Sequence, residues 1–194
     1  MVTTDDGKLA EKIKILSLHG MSKDAWRRYT AAGSWYYEVI YPGYKYNMTD
    51  IQASLGVHQL GKLPQFQKRR EEIAEAYNRA FANLNAIETP SVKPDVKHAW
   101  HLYVIKVVPE RLKIDRNQFI EKLKEGNIGT SVHFIPVHYH RYYRERLDYG
   151  RGSFPVTERF FESAVSLPIY PSMTDADAVD VVEALRKLVT YYKR

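Results

Sequence analysis

The side chains best suited to chemistry in this chain are a lysine, an asparagine and several histidines set among aromatic residues. Lys45 and Asn47 stand in the turn Gly43-Tyr44-Lys45-Tyr46-Asn47, directly ahead of a helix start at Thr49. An ammonium or a side-chain amide is a sound donor to an anionic oxygen. Thr49 and Gln52 have the spacing of a capping box, in which the two side chains satisfy orphan backbone N–H groups at the helix start. The turn is therefore held rigidly, although a capped surface turn with no ligand has the same residues. His133 and His138 flank Phe134-Ile135-Pro136-Val137. An imidazole titrates near neutrality and donates to hydroxyl or diphosphate oxygens, and each of the two also reads as a structural histidine at a strand end. The series His133, His138, His140 invites a zinc reading, but no carboxylate lies at close spacing and no metal is expected. His98 and His101 flank Trp100 and read as packing. Arg27 and Arg28 either pair with a diphosphate or are solvated.

Composition sets the class of protein that must position these groups. The 194 residues suffice for one domain or a domain and a half with a real core. No apolar run approaches the ~20 residues of a membrane span, and the first residues lack the pattern of a signal peptide. Cysteine is absent, which excludes thiol catalysis, disulfides and Cys-ligated zinc, and fits a cytoplasmic protein. The net charge is +6, from 29 Lys+Arg against 23 Asp+Glu. The basic residues are interspersed with acids, as in Lys62 to Arg79, so a phosphorylated small molecule explains the excess more simply than nucleic acid.

Read in order, Val2-Thr3-Thr4 is strand-like, and Asp5-Asp6-Gly7 is placed to cap a short amphipathic helix that ends at His19-Gly20. Met21 to Pro42 reads as a loop dense in aromatics that packs against something else. Thr49 opens a helix to about Leu60, and after Gly61 a second helix runs from Leu63 to Leu84. Asn85 to Lys97, with two prolines, reads as a connection between lobes. Leu102 to Val108 is a strand. Asp115 with Gln118 caps a helix over Arg116 to Glu125, and Ile128 to Ile135 is the next strand. Tyr139 to Arg151 is helix then loop, Pro155 stands at a helix start and Val156 to Ala164 is helical. Ser166 to Pro171 is extended, and Thr174 with Asp177 caps a last helix to about Tyr192. These elements suit the last half of a two-domain enzyme better than a protein complete in itself.

Five segments, in order, resemble the sugar aminotransferases of the DegT/DnrJ/EryC1/StrS family. They are Leu18-His19-Gly20-Met21, the Gly43 to Gly56 stretch, His98-Ala99-Trp100-His101-Leu102-Tyr103, Asn127 to His138, and Ser166-Leu167-Pro168. The Gly-Tyr-Lys-Tyr-Asn turn is similar to that of members aminating a UDP-linked 4-keto-pentose to a 4-amino-4-deoxy-arabinose type sugar for lipid A. The resemblance implies an α/β protein with an α+β C-terminal lobe, the C-terminal portion of a fold type I (aspartate aminotransferase-like) transferase that uses pyridoxal phosphate (PLP). It implies residues 1–48 as a remnant of the large cofactor domain with an interface loop, 49–96 as interdomain helices and 97–194 as the small domain.

The resemblance also implies PLP bound in a dimer whose two subunits build each active site, a nucleotide-diphosphate keto-sugar as substrate and glutamate as amino donor. The turn before the Thr-Asp helix would reach the cofactor phosphate across the dimer, through Lys45 or Asn47. His133, His138 and Arg28 would face the substrate. The lysine that reacts with PLP would lie roughly ten residues before Met1, so no catalytic residue is assigned here and the chain alone is expected to be inactive and to bind no PLP. Met1 would then be an internal methionine of a longer enzyme. The alternative is a non-enzymatic interaction or regulatory protein built on the same fold, which would use the aromatic loop Trp26 to Tyr44.

Overall fold

A computed structural model describes residues 2–22 and 37–194. The chain divides into two compact units, residues 1–61 and 62–194.

In the first unit, α1 spans Gly7–Ser17, and the Asp6 carboxylate caps it by accepting from the Lys8 and Leu9 N–H groups at 2.9 and 3.1 Å. Residues 2–4 are not a strand, because a strand requires a ladder partner and Thr4 instead turns its hydroxyl to the Asp6 N–H at 3.1 Å. Beyond α1 the chain crosses itself at two glycines. Gly20 has φ +71, and a Cβ there would lie 1.7 Å from the Tyr41 carbonyl oxygen. A Cβ on Gly43 would lie 2.0 Å from the Gly20 nitrogen. The Gly20 carbonyl in turn accepts from the Ile40 N–H at 2.8 Å. Most of the aromatic loop, including Trp26, Arg27, Arg28 and Trp35, lies outside the described residues.

The helix α2 runs unbroken over Asp50–Phe81, where the sequence pattern suggested two helices divided at Gly61. A helical glycine costs only about 1 kcal/mol relative to alanine, and the proline at position 64 removes one intrahelical bond. Neither outweighs the anchoring of the later turns, where Ile73, Ala74, Tyr77 and Phe81 are buried.

The second unit is built on a three-stranded antiparallel sheet in the order β1-β2-β3, where β1 is Ile87–Glu88, β2 Tyr103–Val107 and β3 Ala164–Leu167. Ile87 pairs with Val107, and Tyr103 with Leu167. The Asn85 to Lys97 connection thus carries an edge strand that its prolines obscured. In β2, Tyr103, Ile105 and Val107 point into the core and the residues between them are half-buried, whereas all four residues of β3 are buried. The helices α3 (Arg116–Glu125) and α6 (Asp175–Tyr192) each open on the capping box read from the sequence. They bring Phe119, Leu123, Val181 and Leu185 to a core shared with Ile73, Tyr77 and Ile105.

Residues 128–135 do not form the expected strand. They touch the sheet through one bridge, Ser131 to Ser166, after which Phe134 and Ile135 turn outward and are exposed. A 3₁₀ turn over Val137–Tyr139 leads to α4 (Arg141–Leu147), and α5 (Pro155–Ser163) starts on its proline as expected. No helix of the described residues is long and apolar enough to cross a membrane.

Candidate functional site

In the first unit the polar turn is fixed by its backbone and leaves its two polar side chains, Lys45 and Asn47, without a partner among the described residues. The Tyr44 N–H donates to the Leu16 carbonyl at 2.7 Å, the His19 N–H to the Tyr44 carbonyl at 2.8 Å, and the Tyr46 N–H to the Ser17 carbonyl at 2.8 Å. The turn is thereby tied to the C-terminal end of α1. The rings of Tyr44 and Tyr46 lie parallel, with centroids 5.0 Å apart, so the alternate residues of the turn share one side. At the far end the Thr49 N–H donates to Gln52 Oε1 at 3.0 Å, and the Gln52 N–H to Thr49 Oγ1 at 3.3 Å. Lys45 is exposed and Asn47 half-buried. Among the described residues neither side chain has an ion-pair or hydrogen-bond partner. A cation and an amide held two residues apart on a rigid turn are a donor pair for an oxyanion.

In the second unit a clamp holds the segment around Trp100. Arg70 Nη1 donates to the carbonyls of Trp100, His101 and Ile169 at 2.9, 3.1 and 3.0 Å. Gln67 Nε2 donates to the His98 carbonyl at 2.7 Å. Trp100 has φ +46, an uncommon left-handed conformation for a bulky residue. Its N–H donates to His98 Nδ1 at 2.9 Å and its ring meets the His98 ring at 4.2 Å, so His98 serves packing. Tyr103, behind it, donates to Asn78 Oδ1 at 2.6 Å, and Tyr77 to the Pro168 carbonyl at 2.9 Å. Burial raises both phenol pKa values, so these rings stay protonated.

The two candidate histidines of residues 128–140 have different surroundings. His133 is half-buried, with Nδ1 2.9 Å from Ser166 Oγ and 3.3 Å from Ser131 Oγ. His138 is buried, and its Nε2 lies 3.0 Å from Glu158 Oε1. The same carboxylate accepts from the N–H groups of Gly152, at 2.8 and 3.0 Å, and Phe154, at 3.1 Å. Led by the Gly152 N–H, these donors hold the Glu158 pKa down to about 2 against an opposing effect of burial. Glu158 therefore ties the 137–139 turn, the 148–154 loop and α5 together. Arg28 lies outside the described residues. No cluster of three or more His, Asp or Glu side chains able to hold a metal occurs among the described residues.

Sequence reasoning passed over Arg70, Glu158 and Ser166. Ser166 stood inside a segment that carried the family resemblance, which was a signal. Arg70 and Glu158 were two charged residues on helices with nothing to set them apart.

The family model of the DegT/DnrJ/EryC1/StrS aminotransferases matches residues 1–186. The chain is 60% identical over 190 residues to the uncharacterized protein MJ1066 of Methanocaldococcus jannaschii, covering 98% of this chain and 49% of that protein. It is 55% identical over 190 residues to the spore coat polysaccharide biosynthesis protein SpsC of Bacillus subtilis, covering 97% of this chain and 49% of SpsC. Among solved structures it superposes on the putative sugar aminotransferase Spr1654 of Streptococcus pneumoniae in its PMP-form, with a TM-score of 0.81 and 33% identity. That match covers 97% of this chain and 46% of Spr1654, which is also known in a PLP-form. The chain spans about half the length of the curated relatives it matches. The fold is thus part of the fold type I, PLP-dependent architecture expected from the sequence.

Proposed function

The chain belongs to the DegT/DnrJ/EryC1/StrS aminotransferase family, and on that premise we propose that it supplies the phosphate-gripping turn and the sugar-facing lobe of a PLP-dependent sugar aminotransferase. The observation that carries this reading is the turn itself. The Tyr44 and Tyr46 N–H groups tie it to the last carbonyls of α1, while the Lys45 ammonium and Asn47 amide have no partner among the described residues. That donor set fits a phosphate monoester, so Lys45, Asn47 or both would hold the cofactor phosphate. When bound, PLP supplies the electrophilic carbonyl that takes the amino group from one substrate and gives it to the next.

His133 would face the sugar nucleotide from the second unit, with Arg28 as a further cation toward the diphosphate. His138, buried against Glu158, would act by holding the loop that carries His133. The substrate class is a nucleotide-linked keto-sugar with glutamate as donor, in polysaccharide or lipid A biosynthesis, in the cytoplasm. SpsC, a spore coat polysaccharide protein, supports the polysaccharide context. A homodimer is supported by the apolar residues that α2 leaves exposed, among them Ile51, Leu55, Val57 and Leu60.

None of the described lysines supports a covalent role. A reacting lysine needs a dry or electropositive pocket to become nucleophilic near neutral pH. Lys8, Lys12 and Lys14 are exposed, and Lys106 and Lys122 pair with Glu88 and Glu125. No lysine among the described residues is therefore assigned the covalent role, and the isolated chain is proposed to be inactive. The test is glutamate-dependent amination of a UDP-4-keto-pentose, read by mass spectrometry. It compares the protein expressed from its native locus, with any polypeptides that accompany it, and the purified 194-residue chain. Product is expected from the first and none from the second. Product from the chain alone sinks the division of labour, and no product from either sinks the activity.

A further inference from the structure

Two hydroxyls converge on one nitrogen of His133, and the burial of one of them decides which ring nitrogen carries the proton. Ser166 is 5% exposed, on a strand buried at every residue. Its Oγ lies 2.9 Å from His133 Nδ1, and no other side-chain hydrogen bond of this hydroxyl occurs among the described residues. A buried O–H requires an acceptor, and Nδ1 is the one within reach. A proton on Nδ1 would leave the Ser166 hydrogen with no place to go. Nδ1 thus lends its lone pair, and in the neutral ring the proton resides on Nε2. Ser131, at 3.3 Å, is exposed and can turn its hydroxyl to water.

The backbone fixes this triangle. The Ser131 N–H donates to the Ser166 carbonyl at 3.2 Å, and the Ser166 N–H to the Ser131 carbonyl at 2.8 Å. Phe134 packs edge-on against the imidazole at 4.8 Å, which restricts its rotation. Nε2 has no partner among the described residues, and the residue is half-buried rather than enclosed.

We propose that Ser166 is a positioning residue that sets the tautomer of His133, so that Nε2–H is presented as a donor to an oxygen acceptor of the substrate. The acceptor is a carbonyl, hydroxyl or diphosphate oxygen of a nucleotide sugar, which rests on the function proposed above. The assignment of Ser166 itself rests on geometry alone. It predicts discrimination against ligands whose group at that point can only donate.

The test is long-range 1H–15N correlation spectroscopy of the full chain labelled at the histidine rings, for wild type, Ser166→Ala, Ser166→Thr and Ser131→Ala. Wild-type His133 should show the Nε2–H tautomer with Nδ1 shifted as a hydrogen-bond acceptor. Ser166→Ala should lose that Nδ1 shift, Ser166→Thr should restore it, and Ser131→Ala should leave it nearly unchanged. A wild-type ring protonated on Nδ1 overturns the proposal whatever the variants do, as does an Nδ1 signal indifferent to Ser166→Ala in a chain with native core amide resonances. The same samples are then titrated with UDP and with UDP-glucose. A shift of Nε2 by both supports a diphosphate acceptor, and a shift by UDP-glucose alone supports a sugar oxygen. Silence toward both, with the tautomer as predicted, overturns the substrate-facing reading of His133 and the ligand half of this proposal while leaving the Ser166 contact in place.

Discussion

Glu158 shows what a single residue contributes once the chain has folded. Its carboxylate gathers an imidazole and two backbone N–H groups, and its pKa falls from 4.5 to about 2. A carboxyl with a depressed folded-state pKa adds stability that is fully present above 4.5 and lost as the pH falls toward 2. Acid titration of the urea midpoint should therefore reveal a destabilising step in that window. Glu158→Gln should lower the midpoint at neutral pH and flatten the step, and an unchanged acid profile would show that the contacts carry no stability. Lys45 and Asn47 make the complementary prediction for binding. A charge-assisted hydrogen bond is worth roughly 1.5–3 kcal/mol, so replacing the phosphate ligand by alanine in the active assembly should raise the PLP concentration required by about 10-fold or more. Loss with one variant and not the other would identify the ligand, and no change with either would remove the turn from the site. The turn that carries Lys45 and Asn47, with its Thr49 cap, was legible in the sequence because both are local. Glu158 was not, since His138 lies 20 residues away and meets it only in the folded lobe.

At the scale of elements, the capping boxes at Thr49, Asp115 and Thr174 set helix starts that the structure reproduces. They are legible because both members lie within four residues and the signal does not depend on tertiary contacts. The failures share the opposite cause. Gly61 looked like a helix end because an isolated glycine lowers local propensity, yet burial of Tyr77 and Phe81 anchors the later turns of one long α2. Residues 128–135 have strand propensity, but a strand exists only where a neighbour offers a ladder, and here Ser166 offers one bridge. The glycines separate cleanly by environment. Gly20→Ala or Gly43→Ala must disrupt the crossing, because each Cβ would meet backbone well inside contact distance. Thermal unfolding and limited proteolysis of residues 37–48 should register the loss. Gly56→Ala and Gly61→Ala meet nothing within 4 Å and should be neutral or stabilising by about 0.5–1 kcal/mol. Equal tolerance at all four sites would contradict the crossing.

Taken as a whole, the molecule was legible through five ordered segments, and the fold has a physical counterpart for each that is described. The Leu18 to Met21 segment and the Gly43 turn interlock at two glycines, and the Trp100 segment and Ile169 are drawn together by Arg70. The Asn127 to His138 segment meets Ser166 through paired backbone bonds. Several backbone approaches depend on each of these segments at once. On the function proposed above, these residues would grip a phosphate and face a sugar, and none of the described lysines would carry the covalent chemistry. The most direct test is borohydride reduction of the 194-residue chain in the presence of PLP, followed by peptide mass spectrometry. The expected result is scattered, substoichiometric labelling of exposed lysines. One phosphopyridoxyl group per chain on a single lysine, abolished by changing that lysine to alanine, would contradict it.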